Sequence, residues 1–172
     1  MNVGYDFKVE KAVNPRQVGL VFNLPKDFAT VSWERKGYWS VYPANHLGAL
    51  SGTAVAFNAE QPMVQSAGPS AKPSRGWEFD QNEAGSNLFR ATKENIYWAK
   101  LTNDQGNEVK VDSDSSQSFR AWVDVKADGT KMLVADYNNA GMAGFISSHA
   151  EKDYKPLKRG DIVKGNIVLN IK

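Results

Sequence analysis

Trp33, Tyr38, Trp39 and Tyr42 place four large aromatic rings within ten consecutive positions, with Glu34, Arg35, Asn45 and His46 among and just after them. A pyranose ring presents a face of C–H groups that lies flat on an aromatic ring, and weak C–H to π contacts add to the apolar burial. The acid, guanidinium and amide beside the rings can hydrogen-bond the hydroxyls. The same aromatics suit strands and carry large apolar areas, so packing in a core or against a neighbouring domain is the competing use. Along an extended segment Trp39 and Tyr42 fall on opposite faces and cannot both enter one core by simple alternation. Gly37 before them and Pro43 after them interrupt a strand, which places the pair near a loop, where binding residues collect.

Other chemistry-bearing residues are more dispersed. Glu94 and Asn95 follow Arg90 at the entry of a strand, as a polar pair facing either a binding surface or plain solvent. Asp112, Ser113, Asp114, Ser115 and Ser116 imitate the start of a calcium loop. Gln117 stands where that loop needs glycine, however, and Val123 where it needs a bidentate glutamate, so a solvated turn is the better reading. His46 and His149 are the only histidines. No serine has a His-Asp context that would mark a nucleophile, and the absence of cysteine excludes disulfides, thiolate metal sites and a thiol nucleophile. No cofactor and no metal site is expected.

Two runs share an order of residues with a known family. In the first, Asn14-Pro15-Arg16 leads into the apolar run Val18 to Leu24, then Pro25, and Trp33, Gly37 and Tyr42-Pro43 follow. The second, Gly85 to Val111, is similar to the family's run of Glu-Asn (Glu94-Asn95), a strand ending Leu-Thr (Leu101-Thr102), an Asp-x-x-Gly turn, met here by Asp104 to Gly106, and another strand. Together they resemble the C-terminal small-chain domain of family 2 glycoside hydrolases, the β-galactosidases. Lys36, Tyr38, Asn45-His46 and Ile96 depart from the pattern, as in a divergent branch. The resemblance implies a large antiparallel β-sandwich of the galactose-mutarotase type, a supersandwich, that packs on a catalytic barrel of the same parent polypeptide and helps to complete its sugar pocket. Carbohydrate-binding or domain-interface roles then fall on Trp33, Tyr38, Trp39, Tyr42, His46, Glu94 and Asn95. Because the family carries its acid and nucleophile on a (β/α)₈ barrel of about 250 residues, the resemblance assigns no catalytic residue here. A stand-alone carbohydrate-binding module is the alternative.

Composition sets wider bounds. A chain of 172 residues is the size of one well-cored domain, which buries roughly 70% of the surface its unfolded chain exposes. A net charge of +2 with no basic run carries no nucleic-acid footprint, and no apolar stretch is long enough to span a bilayer. The N-terminus lacks the basic and hydrophobic regions of a signal peptide, which fits either a cytoplasmic chain or one that starts within a longer protein. The second is favoured as the C-terminal piece of a larger bacterial enzyme, periplasmic or secreted placement included.

The elements that must position these residues are strands. Tyr5, Phe7 and Val9 alternate with polar partners, as do Phe119, Ala121, Val123 and Val125, and Ile167, Leu169 and Ile171. Asp128-Gly129, the run Asn103 to Asn107, and Lys158 to Asp161 read as turns, the first two closing hairpins. Residues 61–76, rich in proline, glycine and serine, read as an extended surface connection, and Ser147 to Lys155 as a loop or one helical turn. Many short strands with turns between them predict an all-β, antiparallel β-sandwich, with Pro15, Pro25 and Lys26-Asp27 blunting its edges.

Overall fold

The computed structural model describes residues 1–15, 17–37, 49–56, 77, 92–124, 126–138 and 156–172, the last two residues of 126–138 by backbone alone. These form nine strands: β1 (Asn2–Lys8), β2 (Gln17–Pro25), β3 (Thr30–Arg35), β4 (Ser51–Val55), β5 (Ile96–Thr102), β6 (Glu108–Asp112), β7 (Ser118–Asp124), β8 (Gly129–Asn138) and β9 (Ile162–Ile171). A six-stranded sheet runs β1-β9-β6-β5-β3-β4 and a three-stranded sheet runs β2-β8-β7. Every pairing is antiparallel. The two sheets pack face to face, so the chain is an all-β sandwich. No helix among the described residues is long and apolar enough to cross a membrane.

Period-two alternation decides what lies between the sheets. Val31 and Trp33 of β3, Ala99 and Leu101 of β5, Val109 and Val111 of β6, and Ile167 and Leu169 of β9 point inward from the large sheet. They meet Phe119 and Ala121 of β7, Met132 and Val134 of β8, and the partly buried Leu20, Phe22 and Leu24 of β2. The intervening residues look outward. On the large sheet they form polar pairs, Lys100–Glu108 at 2.6 Å between β5 and β6 and Lys110–Asp112 at 2.6 Å along β6, partly exposed contacts that contribute little to stability. On the small sheet Trp122, Leu133 and Ala135 make a second buried cluster, with the Arg120 guanidinium 5.4 Å from the Trp122 ring.

Turn chemistry sets the registers. Between β5 and β6 the Asn103 carboxamide oxygen accepts from the backbone N–H groups of Gln105 and Asn107, and Gly106 takes a φ of 84°. Between β7 and β8 Asp128 adopts a φ of 50° ahead of Gly129. The turn before β9 has Gly160 at a φ of 94°, with the Asp161 carboxylate accepting from the Lys158 N–H at 2.7 Å. All three are the turns that the sequence pattern predicts. β2 is an edge strand ending at Pro25, as its flanking prolines and charges suggest.

The other edge of the small sheet, β7, is covered. Lys93 and Phe119 exchange backbone hydrogen bonds of 2.7 and 2.8 Å, and Ile96 N–H donates to the Gln117 carbonyl at 3.0 Å. The chain thereby crosses from the small sheet into β5 of the large one. One irregularity interrupts the pairing of β2 with β8: Val18 faces Tyr137 while Gly19 faces Ala135, so Asp136 is an extra residue on β8. Such a bulge bends its strand and re-aims side chains.

Gly19 sits at that bulge with its α-carbon against the Val134 carbonyl and the Ala135 backbone, where any Cβ would collide with main-chain atoms. Gly19→Ala is expected to destabilise the fold by roughly 3 kcal/mol, since neither backbone can yield cheaply. Gly106→Ala meets no atom within 4 Å and carries only the left-handed backbone penalty, about 1 kcal/mol. Denaturant unfolding of both variants checks the order.

Candidate functional site

The inward rows of five strands change character at one end of the sandwich. On β6 the row Val109, Val111 continues to Ser113; on β7 the row Ala121, Phe119 runs back to Gln117; on β8 Met132 and Val134 lead to Asp136. On β9 Leu169 and Ile167 lead back to Gly165, which pairs across with Tyr5 of β1. Alternation thus delivers a hydroxyl, an amide, a carboxylate and a phenol to the same place. They line an open cleft of about 950 Å³ with Asp6, Asp112, Asp114, Ser116 and Lys164 at its rim.

These groups are bonded to one another. Tyr5 donates its hydroxyl to Asp136 Oδ2, and Gln117 Nε2 donates to Asp136 Oδ1 at 2.9 Å. The same Nε2 lies 3.4 Å from the Asn166 carbonyl, while Ser113 Oγ donates to Gln117 Oε1. Gln117 is only 3% exposed, so its amide would be costly to bury without these partners. Gly165 makes the arrangement sterically feasible: a Cβ there would strike both Tyr5 Cζ and Asp136 Oδ2. The Tyr5 ring continues into Phe7, their centroids 4.8 Å apart.

Burial, followed by the hydrogen bond to Asp136, raises the Tyr5 phenol above its ordinary value of 10.0. At the rim, hydrogen bonds from Ser116 hold the Asp114 carboxyl below the usual carboxylate range. The phenol therefore stays a donor and Asp114 an acceptor throughout the physiological range. The Asp112 carboxylate is turned to the outer face, where Lys110 at 2.6 Å and Asn170 at 2.8 Å hold it. Asp112 and Asp114 consequently do not converge as calcium-loop ligands do. Among the described residues no group of three or more acids and histidines is placed to hold a metal ion.

A smaller pocket of about 230 Å³ shares Ser116 and Asp136 with the cleft and is completed by Glu94, Asn95, Ser118 and Ala135. Asn95 adopts a φ of 55° and its carbonyl accepts from the Lys36 N–H at 2.8 Å. The polar pair singled out in the sequence therefore stands next to the Tyr5–Asp136 network. Trp33 lies elsewhere, fully buried between the sheets, its indole N–H donating to the Ala49 carbonyl at 3.1 Å and Lys93 Nζ 4.3 Å from its ring centre. Tyr38, Trp39, Tyr42 and His46 lie outside the described residues. Two of their neighbours do not: Glu34 accepts from the Trp98 indole at 2.8 Å, and Arg35 Nε donates to the Ala49 carbonyl at 3.2 Å.

Sequence reasoning did not single out Tyr5, Ser113, Gln117 or Asp136 as site residues. The available signal was a polar residue at an inward position of an otherwise apolar row, as Gln117 is beside Phe119 and Ala121. No protein-family model matches the chain, and neither does any curated protein.

The Tyr5 phenol carries a prediction about pH. Its folded value lies above its unfolded one, so the stability it contributes is fully present below pH of about 10 and is lost as the pH rises further. Wild-type stability is expected to fall through the alkaline range more steeply than that of Tyr5→Phe. Chemical denaturation at a series of alkaline pH values, with phenolate absorbance followed in parallel, checks it; parallel curves would contradict it.

Proposed function

We propose that the chain is a non-catalytic β-sandwich domain of a family 2 glycoside hydrolase, β-galactosidase-like, that packs on the catalytic barrel of its parent protein and completes a wall of the sugar pocket. The observation that supports this most is where the two family-like runs lie. The first contributes β2 and β3, the second β5 and β6, and β3 and β5 are paired neighbours, with Trp33 opposite Ala99. β3 of the first run therefore lies beside β5 and β6 of the second in the large sheet, while β2 belongs to the small sheet that packs against it.

The role is positioning rather than proton transfer. Loops that close over a barrel mouth exclude water and hold the sugar ring, which assists catalysis without supplying an acid or base. Tyr38, Trp39, Tyr42 and His46, from the connection after β3, are the residues assigned to that wall, either against the sugar or against the barrel. A stand-alone carbohydrate-binding module is the second reading, favoured by the cleft around Asp136, whose fixed acceptors and donors suit hydroxyl groups.

Mixing the chain with a family 2 β-galactosidase barrel that lacks its own C-terminal domain tests the first reading. Co-elution is expected, with aryl-galactoside turnover raised at least about tenfold over the barrel alone, equivalent to about 1.4 kcal/mol of transition-state stabilisation. The chain alone is expected to show no turnover. Activity of the chain by itself that survives further purification and is lost on replacing one of its acids would overturn the reading, as would a barrel indifferent to its presence.

A further inference from the structure

The described residues of the cleft at the polar end of the sandwich narrow by their chemistry what it can hold. Its volume of about 950 Å³ is of the size that ligand pockets have, about 300–1,000 Å³. Asp6, Asp114 and Asp136 stand at it, with Lys164 the lining cation among the described residues, which disfavours phosphate, sulfate or carboxylate ligands. It is not a bare negative sink either. Asp136 is committed to Tyr5 and Gln117, Asp112 to Lys110 and Asn170, and Asp6 lies 3.8 Å from Lys164. What remains is a set of directional acceptors at fixed positions, since each carboxylate oxygen has lone-pair capacity beyond the one bond it already accepts.

Fixed acceptors beside a half-buried phenol ring complement a ring of hydroxyl donors that has one C–H face. Rigidity is built in. The buried Gln117 amide clamps Asp136, the bulge on β8 aims it, and Gly165 lets the Tyr5 ring lie across the strand pair. Groups held this way lose little freedom when a ligand arrives.

We propose that this cleft binds a neutral pyranoside, with Asp136 and Asp114 accepting from its hydroxyls and the Tyr5 ring backing its C–H face. The proposal rests on the carbohydrate reading above but assigns the sugar contacts to Tyr5, Asp114 and Asp136 rather than to Trp39 and Tyr42. Glu94 and Asn95, across Ser116 and Asp136 in the adjoining pocket, are placed to meet a second ring or an aglycone.

The test titrates the intact chain with methyl β-D-galactopyranoside and with lactose, read by ligand-observed NMR and calorimetry, on the wild type, Asp136→Asn and Asp114→Asn. Asp114 is exposed, and its amide variant keeps the turn-capping oxygen, so Asp114→Asn remains informative if Asp136→Asn unfolds. Binding by the wild type is expected, weakened at least about tenfold in each folded variant, with lactose the tighter of the two ligands. Binding of neither sugar by the wild type overturns the proposal; if the chain still activates the barrel in that case, the domain role stands alone. Binding that persists in Asp114→Asn and folded Asp136→Asn but vanishes in Trp39→Ala also overturns it, and moves the sugar to the aromatic segment. Displacement of the sugars by spermidine at equal concentration would show a cation site instead.

Discussion

Two reciprocal backbone hydrogen bonds between Lys93 and Phe119, 2.7 and 2.8 Å long, fix how one sheet lies against the other. They occupy the free edge of β7, which would otherwise present unpaired main-chain groups. They also start the crossing that ends when Ile96 enters β5, so the segment from Lys93 to Ile96 belongs to both layers. Its geometry has side-chain consequences. Lys93 is brought to the face of Trp33, where the ring's negative face receives the ammonium. Asn95 is turned into the left-handed region, which asparagine tolerates better than most residues. Glu94 and Asn95 arrive beside Ser116 and Asp136 because of this crossing, not because of any local preference of their own.

The polar end of the sandwich follows from the same packing. Inward rows can stay apolar only while an opposing sheet covers them. At the open cleft, the next inward residue meets solvent on one side and the core on the other. Ser113, Gln117 and Asp136 stand at that boundary, and mutual hydrogen bonding is what allows Gln117 to be almost completely buried there. A half-satisfied network would be worse than an apolar one. Tyr5 contributes the last donor from a strand near the N-terminus, and the network therefore ties β1, β7 and β8 together across both sheets.

Much of this architecture was legible in the sequence and some of it was not. Phe119, Ala121 and Val123 announced β7, and Ile167 and Leu169 announced β9, because a half-buried strand has no other way to write itself. Gly106, Asp128 and Gly160 marked turns through the backbone conformations they permit. β4 left little trace: Ser51–Val55 has one bulky residue, Val55, which is 43% exposed, and an edge strand held by one neighbour needs no strong pattern. The cleft was less visible still. Glu94 and Asn95 stood out through a family-like run, whereas Gln117 drew notice only as a missing glycine. Tyr5 and Asp136 are 131 positions apart, and no local pattern encodes a contact of that span. Nor does periodicity alone reveal the bulge that makes Asp136 an extra residue, since it depends on the partner strand.

The position of the cleft bears on what kind of work the domain can do. A site built on strand ends inherits the rigidity of the sheets, while a site on loops can adapt or close. Asp136 and Gln117 are held from within the sandwich, so they can recognise a shape but are poorly placed to follow a reacting group through a change in geometry. Two carboxylates acting as acid and nucleophile would also need to face one another across a bond at about 5 to 5.5 Å. Here the Asp136 carboxylate is satisfied by a phenol and an amide, and the Asp112 carboxylate by a lysine and an asparagine on the opposite face. These two acids are thus each paired with donors of their own, and the network that holds them is set by the strands that carry them.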